Sequence, residues 1–181
     1  GLIALILMFG AISGAHFNPV VSLSEAWLGN LPRNEVLPYV AIQIAGAFAG
    51  VAMAHSMFGE PVFFASEHVR TGWSQWWSEF VATFGLIAVI ISTCRTRPGV
   101  TPFAVAAYIT SAYWFTASTS FANPAVTLAR AASNTFAGIR PADTLGFIVA
   151  QLAGAMVATI LFNWLYPATQ KEDVTATAEA N

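Results

Sequence analysis

Apolar segments of two lengths make up most of this chain, and they restrict the environments in which it can fold. Of its 181 residues, 56% are hydrophobic and only 9% are charged, which favours a bilayer over water as the solvent. A run of about 20 apolar residues is long enough to cross a bilayer as a helix. The pattern predicts a partial segment at 2–12 and spanning helices near 37–57, 76–93, 100–115 and 145–166. We therefore expect an all-α membrane protein.

Two further apolar stretches, 18–28 and 123–132, are too short to cross. Each has about ten residues, half of what a spanning helix needs. The first opens on Asn18-Pro19 and the second on Asn123-Pro124. Because Asn is a preferred N-cap and Pro is tolerated at the first helical position, each pair predicts a helix that begins inside the apolar region. Such broken helices are tolerated in a membrane where they line a cavity, so we predict two re-entrant half-helices beside one.

The two halves of the chain form a tandem repeat. Gln43-Ile-Ala-Gly-Ala in the first half recurs as Gln151-Leu-Ala-Gly-Ala in the second. The second unit contains three spanning segments, so a matching first unit requires one more helix before residue 1 and gives six spans in all. Three spans per unit make the repeat inverted. We predict one channel domain at 1–168, with repeat one at 1–58 and repeat two at 74–167, and a disordered cytoplasmic tail at 169–181.

Charge and reactive residues narrow the functional class. A formal net charge of −2 and seven scattered Lys and Arg residues argue against a nucleic-acid partner. The sequence has no evident nucleophile–base set, cofactor motif or metal cluster, so we predict neither an enzyme nor a cofactor. The predicted topology puts Arg33, Arg95, Arg97 and Lys171 on one side and Arg70, Arg130 and Arg140 on the other. The positive-inside rule then places the C-terminus in the cytoplasm.

In an inverted repeat the two half-helices meet N-terminus to N-terminus. The positive ends of both helix dipoles and the carboxamides of Asn18 and Asn123 then face one point. A cation would meet positive potential there and a desolvation cost on the order of tens of kcal/mol, whereas a neutral hydroxyl-bearing solute avoids both. Non-helical residues before each Asn have free carbonyl groups that can line the path. The residues expected to do so are Gly14, Ala15, His16, Thr119 and Phe121.

The motifs Asn18-Pro19-Val20 and Asn123-Pro124-Ala125 resemble the paired Asn-Pro-Ala boxes of the aquaporins, also called the major intrinsic proteins. Glu79-Phe-Val-Ala-Thr83 is similar to the family's Glu-x-x-x-Thr motif, whose carboxyl group braces the re-entrant loop, so the resemblance implies that Glu79 and Thr83 brace it here. The resemblance covers the chain from the family's second helix onward. It implies a right-handed six-helix bundle, usually a homotetramer with one pore per subunit, that passes water or small uncharged solutes and excludes ions and protons.

The family's narrow selectivity filter usually has Arg directly after the second box, where this chain has Val126. Family spacing puts the other filter positions at Ser111, or Thr110, and at Ser120. A filter of Ser111, Ser120 and Val126 is wider and less polar, which favours an aquaglyceroporin-like pore. The second box looks like that of bacterial arsenic-resistance-associated members. Water, glycerol-like polyols and arsenous acid are therefore the candidate solutes, and a bacterial inner membrane is the expected location.

Glu25 and Arg130 lie seven residues after the two box asparagines, at the far ends of the half-helices. Arg130 is one turn beyond Val126, so it either replaces the missing filter Arg in part, from the vestibule, or snorkels at the helix end. His55 is expected at the surface. Two other functions stay open: a secondary transporter with a broken-helix site, for which Glu79 is the candidate coupling group, and a junction or assembly protein with a closed pore.

Overall fold

The computed structural model describes residues 1–167, which form seven α-helices, three single-turn 3-10 helices and, over that range, no strand. The helices are α1 Leu2–Ser13, α2 Pro19–Trp27, α3 Val36–Phe58, α4 Trp73–Thr96, α5 Thr101–Phe115, α6 Pro124–Arg130 and α7 Thr144–Leu165. The predicted all-α class is confirmed, and an α-helix forms at each of the predicted segments, including the two short ones. The predicted tail at 169–181 lies outside the described residues.

The surface of the bundle is suited to lipid. The segments Arg33–Phe58, Trp73–Thr96 and Pro141–Leu165 are long and apolar enough to cross a bilayer. Large apolar side chains such as Leu37, Trp114 and Leu145 are more than two-thirds exposed. A water-soluble protein of this size would not expose so many of them, so the chain is an integral membrane protein.

Helices α4 and α7 pack with their backbones in close contact. Gly154 of α7 lies directly against α4, because a Cβ atom at this position would collide with the carbonyl oxygen of Phe80. Gly85 of α4 leaves room in the same way for Tyr108 of α5. Small residues allow this approach, which drives helix association where the solvent is as apolar as the side chains. Helix α4 is thus the centre of the second repeat.

The equivalent face of the first repeat is open. Gly46 of α3 occupies the place of Gly154 in the repeated Gln-x-Ala-Gly-Ala sequence, yet a Cβ there would meet no atom within 4 Å. The Oε1 atom of the neighbouring Gln43 has no hydrogen-bond partner among the described residues, and neither has that of the equivalent Gln151, so this atom does not distinguish the two faces. A cavity of about 680 Å³ lies beside this face, lined in part by Ser13, Gln43 and Ala125. Within residues 1–167, α3 therefore lacks the helix contact that α7 makes with α4.

Each half-helix packs against the opposite repeat. Val20 and Val21 of α2 are buried against Ile87 and Ile91 of α4 and Ala155 of α7. Helix α6 contacts α3, and the two half-helices also contact each other. This exchange interlocks the repeats and brings the two Asn-Pro boxes together inside the bundle.

Candidate functional site

Both half-helices begin at an Asn that caps them. Asn18 and Asn123 have extended backbones, with φ of −154° and −158°. The Asn18 Oδ1 accepts a hydrogen bond from the Val20 N–H at 3.1 Å. The Asn123 Oδ1 accepts from the N–H groups of Ala125 and Val126 at 3.0 and 3.2 Å. The proline after each Asn has no N–H to satisfy, so the Asn side chain provides a partner for both other first-turn N–H groups of α6 and for that of Val20 in α2.

The two boxes are also joined to each other. The Asn18 Nδ2 donates to the Ala122 carbonyl at 2.7 Å, and the Asn123 Nδ2 donates to the Phe17 carbonyl at 2.9 Å. From the sequence we expected both carboxamides to face one point, where their N–H groups can donate to a passing solute. One hydrogen of each amide instead links the boxes, and because a carboxamide nitrogen carries two hydrogens, one remains.

The loops that lead into the boxes share one unusual backbone path. The residues four, three and one before each Asn all have positive φ: Gly14 (70°), Ala15 (50°) and Phe17 (50°), and Thr119 (60°), Ser120 (49°) and Ala122 (47°). Left-handed backbone is uncommon for residues other than glycine and costs on the order of 1–3 kcal/mol each. The repeat seen in the sequence therefore extends to the conformation, and the surrounding structure must hold these loops in place.

Glu79 holds the second loop. Its side chain is fully buried, and its two carboxylate oxygens accept hydrogen bonds from the N–H groups of Phe121 and Ala122, both at 2.8 Å. The Gln151 Nε2 donates to the same carboxylate at 2.6 Å and to the Thr127 hydroxyl at 2.9 Å. Charge-assisted bonds of this kind offset the cost of burying the carboxylate. Both N–H groups of the loop are thereby used.

Thr83 does not take part in this bracing. The sequence assigned it to the loop support together with Glu79, but its buried hydroxyl has no hydrogen-bond partner among residues 1–167. Gln151 supplies the second contact instead, since it reaches both Glu79 and the half-helix.

One cavity of about 500 Å³ runs past both boxes. At one end it is lined by Glu25, Asn30 and Cys94, and at the other by Ser120 and Arg130. Between them it is lined by residues of both box loops, namely Gly14, Ala15, His16, Phe17, Asn18, Phe121, Ala122 and Asn123, and by Val126. Its opposite wall is apolar and includes Leu86, Val105 and Ile109. The cavity thus has one polar side and one apolar side.

Some predicted lining residues lie elsewhere. Ser111 and Thr110 are exposed and their hydroxyls donate to the carbonyls of Ala107 and Ala106, one turn back on α5. Counting residues back from Asn123 does not fix the rotation of α5, and that rotation turns Val105 and Ile109 to the cavity. Thr119 also lies outside the cavity lining. Ser120 and Val126 are the two predicted filter residues that the structure brings to the cavity.

Arg70 supports the loops of the site, although the sequence indicated it only as one of the charges on one side of the membrane. It is 6% exposed, and its guanidinium donates to the carbonyls of Ser118, Phe136 and Gly138 at 2.8–3.0 Å. Its backbone N–H donates to the Asp143 carboxylate at 2.9 Å. Arg70 therefore ties the segment before α4 to the loops on both sides of α6. No local pattern signals this, because its partners are at least 48 residues away.

Two histidines are held by hydrogen bonds. The His16 Nδ1 is 3.0 Å from the Ser22 hydroxyl, which also accepts from Gln43 at 2.9 Å. The His16 ring lies over Gly14, where a Cβ would come within 2.8 Å of the Nε2 atom. His55, expected at the surface, is instead 5% exposed, with its ring nitrogens 2.9 Å from the Val62 carbonyl and the Ser133 hydroxyl. The expectation for His55 was wrong because the loops after α3 and α6 fold back over the end of α3.

The comparisons with known proteins agree with one another on the family of this chain. A family model described as "Major intrinsic protein" matches residues 1–107 and 99–181. The chain is similar to aquaglyceroporin AqpS of Rhizobium meliloti (strain 1021), with 54% identity over 91% of this chain and 70% of the relative. It is also similar to aquaporins NIP2-3 and NIP2-2 of Zea mays, each 33% identical, over 96% and 89% of this chain.

The matches extend over almost the whole chain but not over the whole relatives. The chain spans 60% and 58% of the two maize proteins. The helices, the paired boxes and the family match all agree on one assignment. The chain therefore belongs to the major intrinsic protein family of aquaporin and aquaglyceroporin channels, which are not enzymes.

Proposed function

We propose that this chain forms a transmembrane channel for the passive diffusion of small uncharged solutes, with the 500 Å³ cavity as its path. The observation that carries the proposal is the course of that cavity. It passes both box asparagines and is lined by Glu25 at one end and Arg130 at the other. A relative named as an aquaglyceroporin supports the same class of solute.

The chemistry of the lining favours neutral solutes over ions. Each box Asn has one amide hydrogen left after the bond that joins the boxes, and both half-helices begin at this point. Donors and helix N-termini stabilise a solute oxygen and oppose a cation. A bare ion would in addition lose its hydration against the wall of Leu86, Val105 and Ile109, at a cost on the order of tens of kcal/mol. Exclusion of ions and protons follows from this arrangement.

The apolar wall and the side chain at position 126 favour solutes larger than water. Val126 lines the cavity where the family's filter usually has Arg. Polar groups on one side and apolar groups on the other match a polyol, whose hydroxyls and carbon atoms need different neighbours. Water, glycerol-like polyols and arsenous acid are the solutes that we propose.

The functional channel also contains, in our proposal, one more helix packed on α3. The open Gly46 and the cavity beside it mark its place, which corresponds to that of α4 in the second repeat. The full protein would then have six spans. A homotetramer in a bacterial inner membrane, with the C-terminus in the cytoplasm, completes the proposed assembly.

Stopped-flow light scattering on proteoliposomes of the full-length protein tests the proposed solutes. We expect water, glycerol and arsenous acid to cross faster than in protein-free vesicles, with no increase in sodium or proton conductance. Permeation by water alone would contradict the wide pore, and ion conductance would contradict the exclusion mechanism. The absence of any flux would favour the closed-pore junction protein.

A further inference from the structure

Arg130 lies at one mouth of the cavity with its hydrogen-bonding groups unused. It is the last residue of α6, and it lines the cavity together with Asn123 and Val126 of the same half-helix. Its guanidinium carbon lies 4.3 Å from the centroid of the Phe121 ring. Among residues 1–167, its guanidinium makes neither a hydrogen bond nor an ion pair, and the ion pair within that range joins Arg140 and Asp143. The side chain therefore does not snorkel away from the cavity.

Arg70 provides a comparison on the same ring. Its guanidinium carbon lies 5.0 Å from the Phe121 centroid, so one aromatic ring carries two cations. Three N–H groups of Arg70 are used by the carbonyls of Ser118, Phe136 and Gly138. Arg70 thus holds the loops, whereas Arg130 is fixed by stacking alone and keeps its five N–H donors for another partner.

Ser120 gives an independent sign that something binds here. Its side chain is 7% exposed and lines the same cavity, yet its hydroxyl has no hydrogen-bond partner among the described residues. Its backbone is held in place with a φ of 49°, and its N–H donates to the Ser118 hydroxyl at 3.2 Å. A buried hydroxyl without a partner is costly, so we expect a ligand or water in the cavity to form a hydrogen bond with it.

We propose that Arg130, stacked on Phe121, and Ser120 form a solute-selecting site at this mouth, one helical turn beyond Val126. The guanidinium only donates and the hydroxyl donates and accepts, so in a channel for uncharged solutes the site binds their acceptor oxygens, as in polyols. It ranks solutes by how many hydroxyl groups they offer. The proposal rests on the proposed channel function and specifies how that channel discriminates.

The test is the ratio of glycerol to 1,3-propanediol permeability in proteoliposomes of the full-length protein. These solutes have the same carbon chain and differ by one hydroxyl. Arg130→Met keeps the length of the side chain and its contact with Phe121 but removes the donors. We expect it to lower the ratio about threefold or more, as the loss of one hydrogen bond would. Arg33→Met, at an exposed arginine away from the cavity, is the matched control and leaves the ratio unchanged.

Two further variants keep the test decisive. Arg130→Lys retains the charge without the planar fork of donors, and we expect it to lower the ratio less than Arg130→Met does. Ser120→Ala is small enough to preserve the loop, and we expect it to lower the ratio as well. A ratio within 1.3-fold of wild type in Ser120→Ala and in whichever Arg130 variants insert would overturn the proposal. If the wild-type protein passes neither solute, the channel function itself fails, and the two failures are thereby distinguishable.

Discussion

At the scale of single residues, the site depends on side chains that hold strained backbone. Three of the four residues before each box Asn have left-handed backbone. In the second loop, the Glu79 carboxylate accepts hydrogen bonds from two adjacent backbone N–H groups. Val126, in contrast to Glu79, does not hold the loop; its side chain lines the cavity. Substitutions at these two positions therefore test stability and selectivity separately.

Replacement of Glu79 by Gln should destabilise the protein. Gln offers one acceptor oxygen in place of two and turns an NH2 group towards the loop, so at least one buried N–H loses its partner. We expect a loss of about 1–3 kcal/mol, and a domain of this size loses roughly 2–4 °C in Tm per kcal/mol. Thermal unfolding in detergent measures it. Glu67→Gln, at an exposed carboxylate, is the control, and an unchanged Tm in Glu79→Gln would contradict the bracing role.

Replacement of Val126 by Arg should narrow the cavity. The added bulk and charge hinder a larger solute more than water, and about 1.4 kcal/mol of extra barrier corresponds to roughly a tenfold loss of flux. We expect glycerol permeability to fall by more than water permeability in stopped-flow measurements. Val126→Leu, which adds bulk without charge, is the matched control and should have the smaller effect. An equal loss for both solutes would place Val126 outside the selective part of the path.

At the scale of helices, local sequence patterns were sufficient to predict where the α-helices lie. The lengths of the apolar runs and the Asn-Pro pairs gave every helix to within three residues, because length, N-caps and proline act through near neighbours. Ser111 does not line the 500 Å³ cavity, because spacing does not fix how α5 is rotated. The roles of Arg70 and Gln151 were missed because their partners lie 24 to 73 residues away and carry no local signal.

The two equivalent glycines test how the helices pack. Gly154→Leu should disrupt the α4–α7 pair, since even a Cβ would collide with the Phe80 carbonyl. Gly46→Leu should disturb the full-length protein in the same way if another helix covers α3. We expect both variants to lower the yield of monodisperse protein in size-exclusion chromatography. Gly29→Ala, at a loop glycine with open space around it, controls for the loss of glycine; its φ of 82° adds a small backbone strain of its own. Normal behaviour of Gly46→Leu would show that α3 is not covered there.

At the scale of the whole molecule, two interlocked repeats place one cavity past the point where the boxes are joined. Two functions are compatible with this arrangement, a channel and a secondary transporter. A channel needs only a continuous path, whereas a transporter needs a coupling group that changes its protonation or ion binding. Glu79 is fully buried, and all three of its hydrogen bonds are used to hold the loop and Gln151. This favours a structural role for Glu79 and a passive channel.

The most direct test of this account is the concentration dependence of glycerol uptake by proteoliposomes of the full-length protein, with and without a proton gradient. A passive path through the cavity predicts an initial rate that rises linearly with glycerol concentration and does not change when the gradient is applied. A rate that saturates at low glycerol concentration, or that depends on the proton gradient, would contradict the account and favour a transporter.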